Sequence, residues 1–339
     1  MIASRLHITN GDGAAEIIRA SGIDGDVLPW RDPMHHGPFP PGLDLDAVSV
    51  IRADYLAGDV LEVDAVRADF ADRDQRLRNA LTRGDAITLW FEHDLLDQLQ
   101  LVQILDFVSA YGNGGLVDLI CIGDHPQVHP FRGLGQLNAA QIAALWPTRA
   151  VVTDAELALA SRAWAAFRAE DPTGIENLLQ DDTHALAFLA QALRRHLQEF
   201  PWTSDGLTRT ERQLLRCVSK GKEKPGALFT ANMNVETALF IGDWSTFRII
   251  AELCEGEVPL LTCQPDGKFS HPPRDDIDRE AFRAQRLSLT SAGERVLSGE
   301  ARWTTRRNQW LGGVHCAGAP PRWMWDEKSG SMRRSNGGI

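Results

Sequence analysis

The sequence lacks the features of membrane-spanning, exported or disulfide-stabilised proteins. No stretch of its 339 residues approaches the roughly 18 consecutive apolar residues of a membrane helix. The chain starts directly with a strand pattern, without the basic and apolar regions of a signal peptide. Its five cysteines are scattered, odd in number and contain no Cys-x-x-Cys pair, which argues against disulfides and a cysteine zinc site. We therefore expect a cytoplasmic protein with no membrane partner.

Several short signatures of nucleotide binding and catalysis are also missing. Neither G-x-G-x-x-G nor G-x-x-x-x-G-K-[ST] occurs, so the common dinucleotide and P-loop fingerprints are absent. No serine nucleophile elbow stands out either. A reaction class therefore does not follow from any single motif.

Charge is distributed unevenly along the chain. The net charge is -11, but residues 1–206 carry a net charge of -15 and residues 207–339 a net charge of +4. This asymmetry predicts different partners for the two parts. A surplus of four positive charges permits nucleic-acid binding without requiring it. A chain of this length predicts two or three domains.

Residues 1–137 show alternating strand and helix patterns. Strands are predicted at 5–9, 26–30, 86–91 and 116–122, and helices at 14–20, 46–57, 74–82 and 94–111. This order is typical of an α/β domain with a mainly parallel sheet, because parallel neighbours need crossover connections. Ligands bind at the carboxyl ends of such strands. The loops predicted at those ends are rich in His, Asp, Gly and Pro.

The remainder of the chain predicts a helical middle segment at 138–203 and a winged-helix-like α+β domain with an aromatic tail at 204–326. Thr208 and Glu211 have capping-box spacing before a helix, and Leu289-Thr-x-x-Gly293 opens a later helix. A DNA or protein partner is possible through residues 204–326. The alternative is a small α+β cap that only packs on the first domain. Residues 327–339 are predicted to be disordered.

The first strand leads into a glycine turn that could bind an anion. Gly11-Asp12-Gly13 separates this strand from the helix predicted at 14–20. The first N–H groups and the dipole of a helix both favour negative charge. Asn10, Gly11, Asp12 and Gly13 are therefore candidate binding residues for a phosphate. Asp12 is equally suited to be a helix N-cap.

The loop from 30 to 38 concentrates unusual residue types. Arg31 is suited to a bidentate grip on phosphate or carboxylate, and Asp32 is a candidate binding residue that could instead neutralise Arg31. His36 is a candidate general acid or base. Arg52, in the following helix, is a second candidate for binding the anion, or it lies on a solvated helix face.

The segment Glu92-His93-Asp94-Leu-Leu-Asp97 follows an apolar strand. On a helix His93 and Asp97 would share a face, and both are candidate catalytic residues. Asp94 and Asp97 are candidate ligands for Mg²⁺, Mn²⁺ or Zn²⁺. Gln98 could hydrogen-bond a ligand at the same mouth. The alternative is that these acidic residues only complement the helix dipole and cap the helix.

These motifs, in their order, resemble the DUF1835 family of bacterial proteins. The matching stretches are Leu6-His-Ile-Thr-Asn-Gly-Asp12, Trp30-Arg-Asp with Gly37-Pro38, Arg52, and Leu89-Trp-Phe-Glu-His-Asp-Leu-Leu-Asp97-Gln98. The resemblance covers about residues 5–125, and residues 207–211 and 310–315 resemble the longer members. The family has no assigned reaction. Its pattern usually has a serine where this chain has Gly13. A serine hydroxyl therefore cannot contact a phosphate or metal here, whereas backbone N–H groups can still bind a phosphate.

Three hypotheses follow. In the first, the α/β domain binds a nucleotide or other phosphorylated small molecule at Gly11–Gly13 and Arg31, and the winged-helix-like domain relays its occupancy to DNA or a protein. In the second, the chain is a metal-assisted hydrolase or phosphotransfer-type enzyme using residues 92–97, with His93 or His36 as acid and base. In the third, it is an interaction scaffold without a ligand. The sequence leaves open whether the 30–38 and 92–97 segments meet in space.

Overall fold

The computed structural model describes residues 4–57, 62–112, 117–271, 279–304 and 307–335. The chain divides into two compact units. The first contains residues 1–194 and 310–315, and the second contains residues 195–309 and 316–339. Among the described residues no helix is both long and apolar enough to cross a membrane.

The first unit is built on a mainly parallel sheet, as the sequence predicts, with five strands where four were predicted. Its strands are β1 (Arg5–Asn10), β2 (Asp26–Trp30), β4 (Ala86–Glu92), β5 (Val117–Ile122) and β6 (Ala150–Val151). Their order is β2-β1-β4-β5-β6. All pairs are parallel except β5 and β6, which are antiparallel. The predicted residue 116 lies outside the described residues.

Helices cover this sheet. They are α1 (Gly11–Ala20), α2 (Leu45–Ala57), α3 (Val63–Arg83), α4 (Leu95–Tyr111), α5 (Ala139–Leu145), α6 (Asp154–Arg168), α7 (Thr173–Leu178) and α8 (Leu189–Leu197). A short strand β3 (Gly37–Pro38) pairs with Leu311 and Gly312 of a later strand. The face that carries Trp90 packs on Ala15 and Ile18 of α1, so α1 is held by its apolar stripe.

The strand order reverses between β1 and β4. From β1 the chain moves to β2 on one side, and it later returns to place β4 on the other side of β1. In parallel α/β sheets the connections diverge at such a reversal, and ligands bind above the carboxyl ends of the strands there. Asn10 ends β1 and Glu92 ends β4, so both lie at this edge.

Two predicted helix boundaries are wrong. Helix α1 begins at Gly11 rather than at residue 14, because the two glycines form part of its first turn. Helix α3 covers 63–83 rather than 74–82. Its polar first half is helical because Phe70 is buried and because Arg67 forms an ion pair with Asp54. The periodicity of the apolar residues alone does not report these contacts.

The second unit has the predicted winged-helix-like order, with two helices, α10 and α12, more than expected. Its elements are α9 (Arg209–Ser219), α10 (Pro225–Met233), α11 (Asp243–Cys254), β7 (Leu261–Gln264), α12 (Arg279–Ala284), β8 (Arg286–Leu289) and α13 (Ser291–Leu297). Strands β7 and β8 pair antiparallel. The Thr208–Glu211 capping box is confirmed. Helix α10 replaces part of a predicted loop, because Pro225 supplies a favourable first helical residue and Leu228 is buried.

Four strands follow: β9 (Arg307–Gly312), β10 (Val314–Gly318), β11 (Trp323–Asp326) and β12 (Ser331–Arg334). The prediction of a disordered tail is wrong for residues 327–335. Strand β12 pairs antiparallel with β11, and Met332 is buried. The turn between them forms because the Asp326 carboxylate accepts hydrogen bonds from the Lys328 N–H and the Ser329 hydroxyl. The last residues of the tail prediction, 336–339, lie outside the described residues.

Candidate functional site

Three carboxylates meet at the carboxyl end of β4. Glu92 is the last residue of β4, Asp94 is the N-cap of α4, and Asp97 lies in the first turn of α4. One ligand oxygen from each lies within 4.8 Å of the others. All three side chains are buried. We call Glu92, Asp94 and Asp97 the carboxylate cluster.

Hydrogen bonds from β1, β4 and α4 hold the cluster in place. Asp94 Oδ1 accepts the Asp97 N–H at 3.1 Å, which caps α4, and Asp97 Oδ1 accepts the Glu92 N–H at 2.8 Å. The other oxygen of Asp97 accepts a hydrogen bond from Asn10 Nδ2. Asn10 occupies the N-cap position of α1 but makes no side-chain cap there. Its side chain instead joins the end of β1 to the cluster.

The loop after β5 closes on the cluster from another side. The Leu134 N–H donates to Glu92 Oε1. Gly133 adopts φ +148°, and a Cβ at this position would collide with the Glu92 carboxylate. Only glycine therefore allows the loop to approach so closely. The sequence analysis did not select Gly133 and Leu134, because no short-range pattern connects them with Glu92.

Burial and mutual repulsion raise the pKa values of the cluster. Burial is the main cause for all three groups, and repulsion by Asp97 adds to the rise in the pKa values of Glu92 and Asp94. Burial raises the pKa of Asp97 to about 7, against the hydrogen bonds from Asn10 and Glu92 that lower it. Full ionisation at neutral pH is therefore unfavourable unless positive charge enters. An all-oxygen donor set suits a hard divalent cation such as Mg²⁺ or Mn²⁺.

Gln98 holds the end of β4 in place and does not extend toward a ligand. Its Nε2 donates to the Glu92 carbonyl at 2.7 Å and contacts Cys121 Sγ at 3.4 Å. The side chain is buried. The prediction that Gln98 reaches a ligand is therefore wrong for this arrangement, because its amide holds the end of β4. Cys121 was not selected from the sequence, and burial raises the pKa of its thiol.

His93 lies beside the cluster in the chain but faces aromatic residues. Helix α4 begins at Leu95, so the assumption that His93 and Asp97 share a helix face is wrong. The His93 ring stacks near Phe131, with centroids 6.3 Å apart, and meets Phe188 edge-on at 5.9 Å. The structure thus groups Asp97 with Glu92 and Asp94, and it directs His93 toward the loop that contains Phe131.

The glycine turn leaves the start of α1 open. Gly11 adopts φ +53°, and a Cβ at Gly11 or Gly13 would meet nothing within 4 Å. The Asn10 side chain does not cap α1. The first N–H groups of α1 therefore have no side-chain partner at the N-cap and are available to an anion. The predicted N-cap role of Asp12 is wrong, because Asp12 lies inside the first turn.

Arg31 is adjacent to this turn and already paired. Its guanidinium binds both carboxylate oxygens of Asp12, with a shortest distance of 2.7 Å, and Asp69 at 2.5 Å. The hydrogen bond from Arg31 lowers the pKa of Asp12. The side chain of Arg31 is 42% exposed. The positive charge of Arg31 is therefore already offset by two carboxylates, which weakens its attraction for an incoming anion.

Asp32 and Arg52 form a buried ion pair with each other. The Arg52 Nη2 lies 2.6 Å from Asp32 Oδ1, and both side chains are 1% exposed. The Arg52 guanidinium lies 4.3 Å from the ring centroid of Phe39, and a Cβ on Gly37 would collide with it. Arg52 does not lie on a solvated helix face, and Asp32 does not pair with Arg31, so both of these predictions are wrong. The prediction that Asp32 and Arg52 contact a ligand is also wrong, because their ion pair instead fixes the loop from 30 to 38.

His36 belongs to the same loop framework. Its carbonyl accepts a hydrogen bond from Arg52 Nη1 at 2.7 Å. Its ring contacts His35 and Tyr55, with centroids 4.7 and 5.7 Å away. The structure therefore brings Asn10 together with the carboxylate cluster, and it places His36 with Arg52 and Tyr55.

Comparisons with known proteins identify no family. No family model and no curated protein matches the chain. Among solved structures, it is similar to the DNA-binding, cleavage and re-ligation domain of topoisomerase II from Plasmodium falciparum, at 12% identity and a TM-score of 0.47. The match covers 86% of this chain and 48% of that one, so the chain spans about half of that structure. The resemblance to DUF1835 stays a prediction.

Proposed function

We propose that the first unit binds a phosphorylated small molecule, such as a nucleotide, together with a divalent cation at the carboxyl ends of β1 and β4. One observation carries this proposal. Three buried carboxylates converge within 4.8 Å where the strand order reverses, and α1 starts from the same edge without a side-chain cap. Strand-order reversals are the usual ligand sites of parallel α/β sheets.

The two parts of the proposed site have complementary chemistry. The carboxylate cluster would hold the cation, and the N–H groups at Gly11, Asp12 and Gly13 would hold phosphate oxygens. Three ionised carboxylates repel a phosphate, so a cation between them removes the repulsion. Arg31 is a secondary contact, because Asp12 and Asp69 already offset its charge.

A metal-assisted hydrolase or phosphotransfer-type enzyme is the second candidate. The same observation favours it: the carboxylate cluster lies at the edge of the sheet where α1 begins without a side-chain cap. A cation at the cluster would supply Lewis-acid stabilisation of charge on phosphoryl oxygens. Of the residues predicted to be catalytic, only Asp97 lies in the cluster.

The first test is a thermal-shift panel that crosses nucleotides and sugar phosphates with Mg²⁺, Mn²⁺ and Zn²⁺. Ligand at about a hundredfold over its Kd stabilises a protein by about 2.7 kcal/mol. We expect Asp94→Asn to abolish metal-dependent stabilisation, because asparagine caps a helix as well as aspartate does but removes one negative ligand. Asp64→Asn, at an exposed position in the first turn of α3, is the matched control.

The outcomes separate the hypotheses. Stabilisation that needs both metal and phosphate supports the proposal, and release of product from the same ligand supports the enzyme. Complete silence of the panel contradicts both and favours a scaffold. For the second unit we propose a DNA or protein partner that responds to ligand. If the second unit binds DNA in response to the ligand, a stabilising ligand should change the affinity for DNA. An unchanged affinity would contradict a DNA partner of this kind.

A further inference from the structure

The hydroxyl of Thr9, the residue before Asn10 in β1, is buried without a partner. Thr9 is fully buried, and its Oγ1 makes no hydrogen bond within the described part of the chain. An unpaired buried hydroxyl costs free energy. Valine has nearly the same branched shape and the same preference for strands without this cost. The hydroxyl therefore needs a partner other than the protein groups around it.

The pairing of β1 with β4 places Thr9 on the same sheet face as Glu92. Thr9 pairs with Trp90, and Glu92 is two residues further along β4, so alternation puts the three side chains on one face. Leu134 supports this placement, because its N–H donates to Glu92 Oε1 and its side chain packs in the same core as Trp90. The backbones of Thr9 and Glu92 are thus about 8 Å apart.

The carboxylate cluster lies over the ends of these same two strands. Asp97 accepts hydrogen bonds from the Glu92 N–H in β4 and from Asn10 Nδ2 in β1. Thr9 directly precedes Asn10, so it lies one residue below this junction on the face that carries Glu92. The Glu92 side chain and one cation, with oxygen ligands at about 2.1 Å, span the distance between the two backbones.

A threonine hydroxyl is chemically suited to join three carboxylates around a cation. It adds a donor oxygen without a further negative charge, so it does not increase the repulsion within the carboxylate cluster. Mg²⁺ prefers about six oxygen ligands, and one oxygen from each of three carboxylates leaves positions for other groups. Serine and threonine hydroxyls bind Mg²⁺ in other phosphate-binding proteins.

We propose that Thr9 Oγ1 is a fourth protein oxygen that binds the divalent cation at the carboxylate cluster. This inference rests on the proposed function of the first unit and deepens it by assigning a neutral ligand to the cation. Four oxygen ligands favour Mg²⁺ or Mn²⁺ over Zn²⁺, which prefers nitrogen and sulfur donors. Because Thr9 lies two residues before α1, the same segment of chain contributes to the cation site and to the phosphate site.

Calorimetric titration of the full chain with Mn²⁺ tests this role. Thr9→Val removes the hydroxyl, keeps the shape of the side chain and is expected to lower the Mn²⁺ affinity about tenfold or more. Thr9→Ala is expected to show the same loss, whereas Thr9→Ser keeps the hydroxyl and should stay within about threefold of the native affinity. Thr246→Val is the matched control, because Thr246 is a buried threonine of the second unit whose hydroxyl already donates to the Gly242 carbonyl. This control should not change the Mn²⁺ affinity.

Urea unfolding in EDTA separates a metal ligand from a residue that only supports the fold. Without metal, Thr9→Val is expected to be at least as stable as the native chain, because it removes an unpaired buried hydroxyl. Thr246→Val loses a hydrogen bond and should be less stable than the native chain. An equal loss of stability in the two variants would show that the Thr9 hydroxyl already has a partner, and it would overturn the assignment.

The titrations distinguish failure of this ligand from failure of the proposed function. Native Mn²⁺ affinity in both Thr9→Val and Thr9→Ala would overturn the assignment of Thr9 and leave the proposed cation site standing. An equal loss in Thr9→Ser would also overturn it, because the effect would then not follow the hydroxyl. A native chain that binds no Mn²⁺ would contradict the proposed function itself and, with it, this ligand.

Discussion

Asp97→Asn is expected to stabilise the metal-free protein at alkaline pH. Asp97 is fully buried, and burial raises the pKa of its carboxyl from 3.8 to about 7. The unfolded chain loses this proton near pH 4, whereas the folded chain keeps it until about pH 7. The folded state therefore binds more protons in this window, and its free energy of unfolding falls as the pH rises from about 4 to 7.

The magnitude follows from the size of the shift. A rise of about three pKa units corresponds to about 4 kcal/mol of lost stability above pH 7, at 1.36 kcal/mol per unit. Asparagine stays neutral and so avoids this loss. It keeps only one acceptor oxygen for the bonds from Asn10 and Glu92, which costs about 1 kcal/mol. We expect a net gain of about 3 kcal/mol at about pH 8 and a net loss of about 1 kcal/mol near pH 4, where only the lost acceptor counts.

Urea unfolding in EDTA at several pH values measures this difference. Asp64→Asn, exposed in α3, serves as the control and is expected to shift stability by no more than about 0.5 kcal/mol. Added Mn²⁺ should then stabilise the native chain and not Asp97→Asn. A variant that is less stable than the native chain at about pH 8, by the same amount as at low pH, would refute the reasoning, because burial would then not raise the pKa of Asp97.

Three further predictions concern the framework of the first unit. Gly133→Ala should lower the affinity for Mn²⁺ by about tenfold or more, because the added Cβ displaces the Glu92 carboxylate and an alanine is strained at φ +148°. Calorimetry measures this affinity, and an unchanged value would contradict the prediction. Arg52→Met should reduce the unfolding free energy in urea by about 3–5 kcal/mol, because Asp32 stays buried without its partner; a loss under about 1 kcal/mol would argue against it. His7 accepts the Trp90 indole N–H and its pKa is lowered mainly by burial. Stability should therefore fall as the pH drops below about 6.5, and a ring that titrates normally by NMR would oppose this.

The sheet was predictable from sequence because its signals are local. Each of the four predicted strands is a short apolar run, and a helical pattern comes between it and the next; the two-residue strands β3 and β6 lack this signal and were not predicted. Parallel pairing follows from the length of the connections. The position of the acidic segment at the end of β4 follows from the same alternation, so Asp94 and Asp97 were placed correctly at the carboxyl edge.

The contacts that form the cluster were not predictable, because they join residues far apart in the chain. Asn10 reaches Asp97 across two neighbouring strands, and Leu134 reaches Glu92 from the loop after β5. Arg52 illustrates the opposite error. An arginine on a helix is usually solvated, and only the buried Asp32 explains why it is not.

The two interpretations of residues 92–97, a helix cap and a metal site, are compatible. Asp94 caps α4 with one oxygen and still lies in the cluster. The positive end of the α4 dipole, equivalent to about half an elementary charge, offsets only part of three negative charges. The remainder must be neutralised by protons or by a cation. In a purely structural cap, bound protons are enough to neutralise the carboxylates. In a metal site, the carboxylates must release these protons when the metal binds. The release of protons when Mn²⁺ is added, measured in weak buffer, therefore distinguishes a structural cap from a metal site.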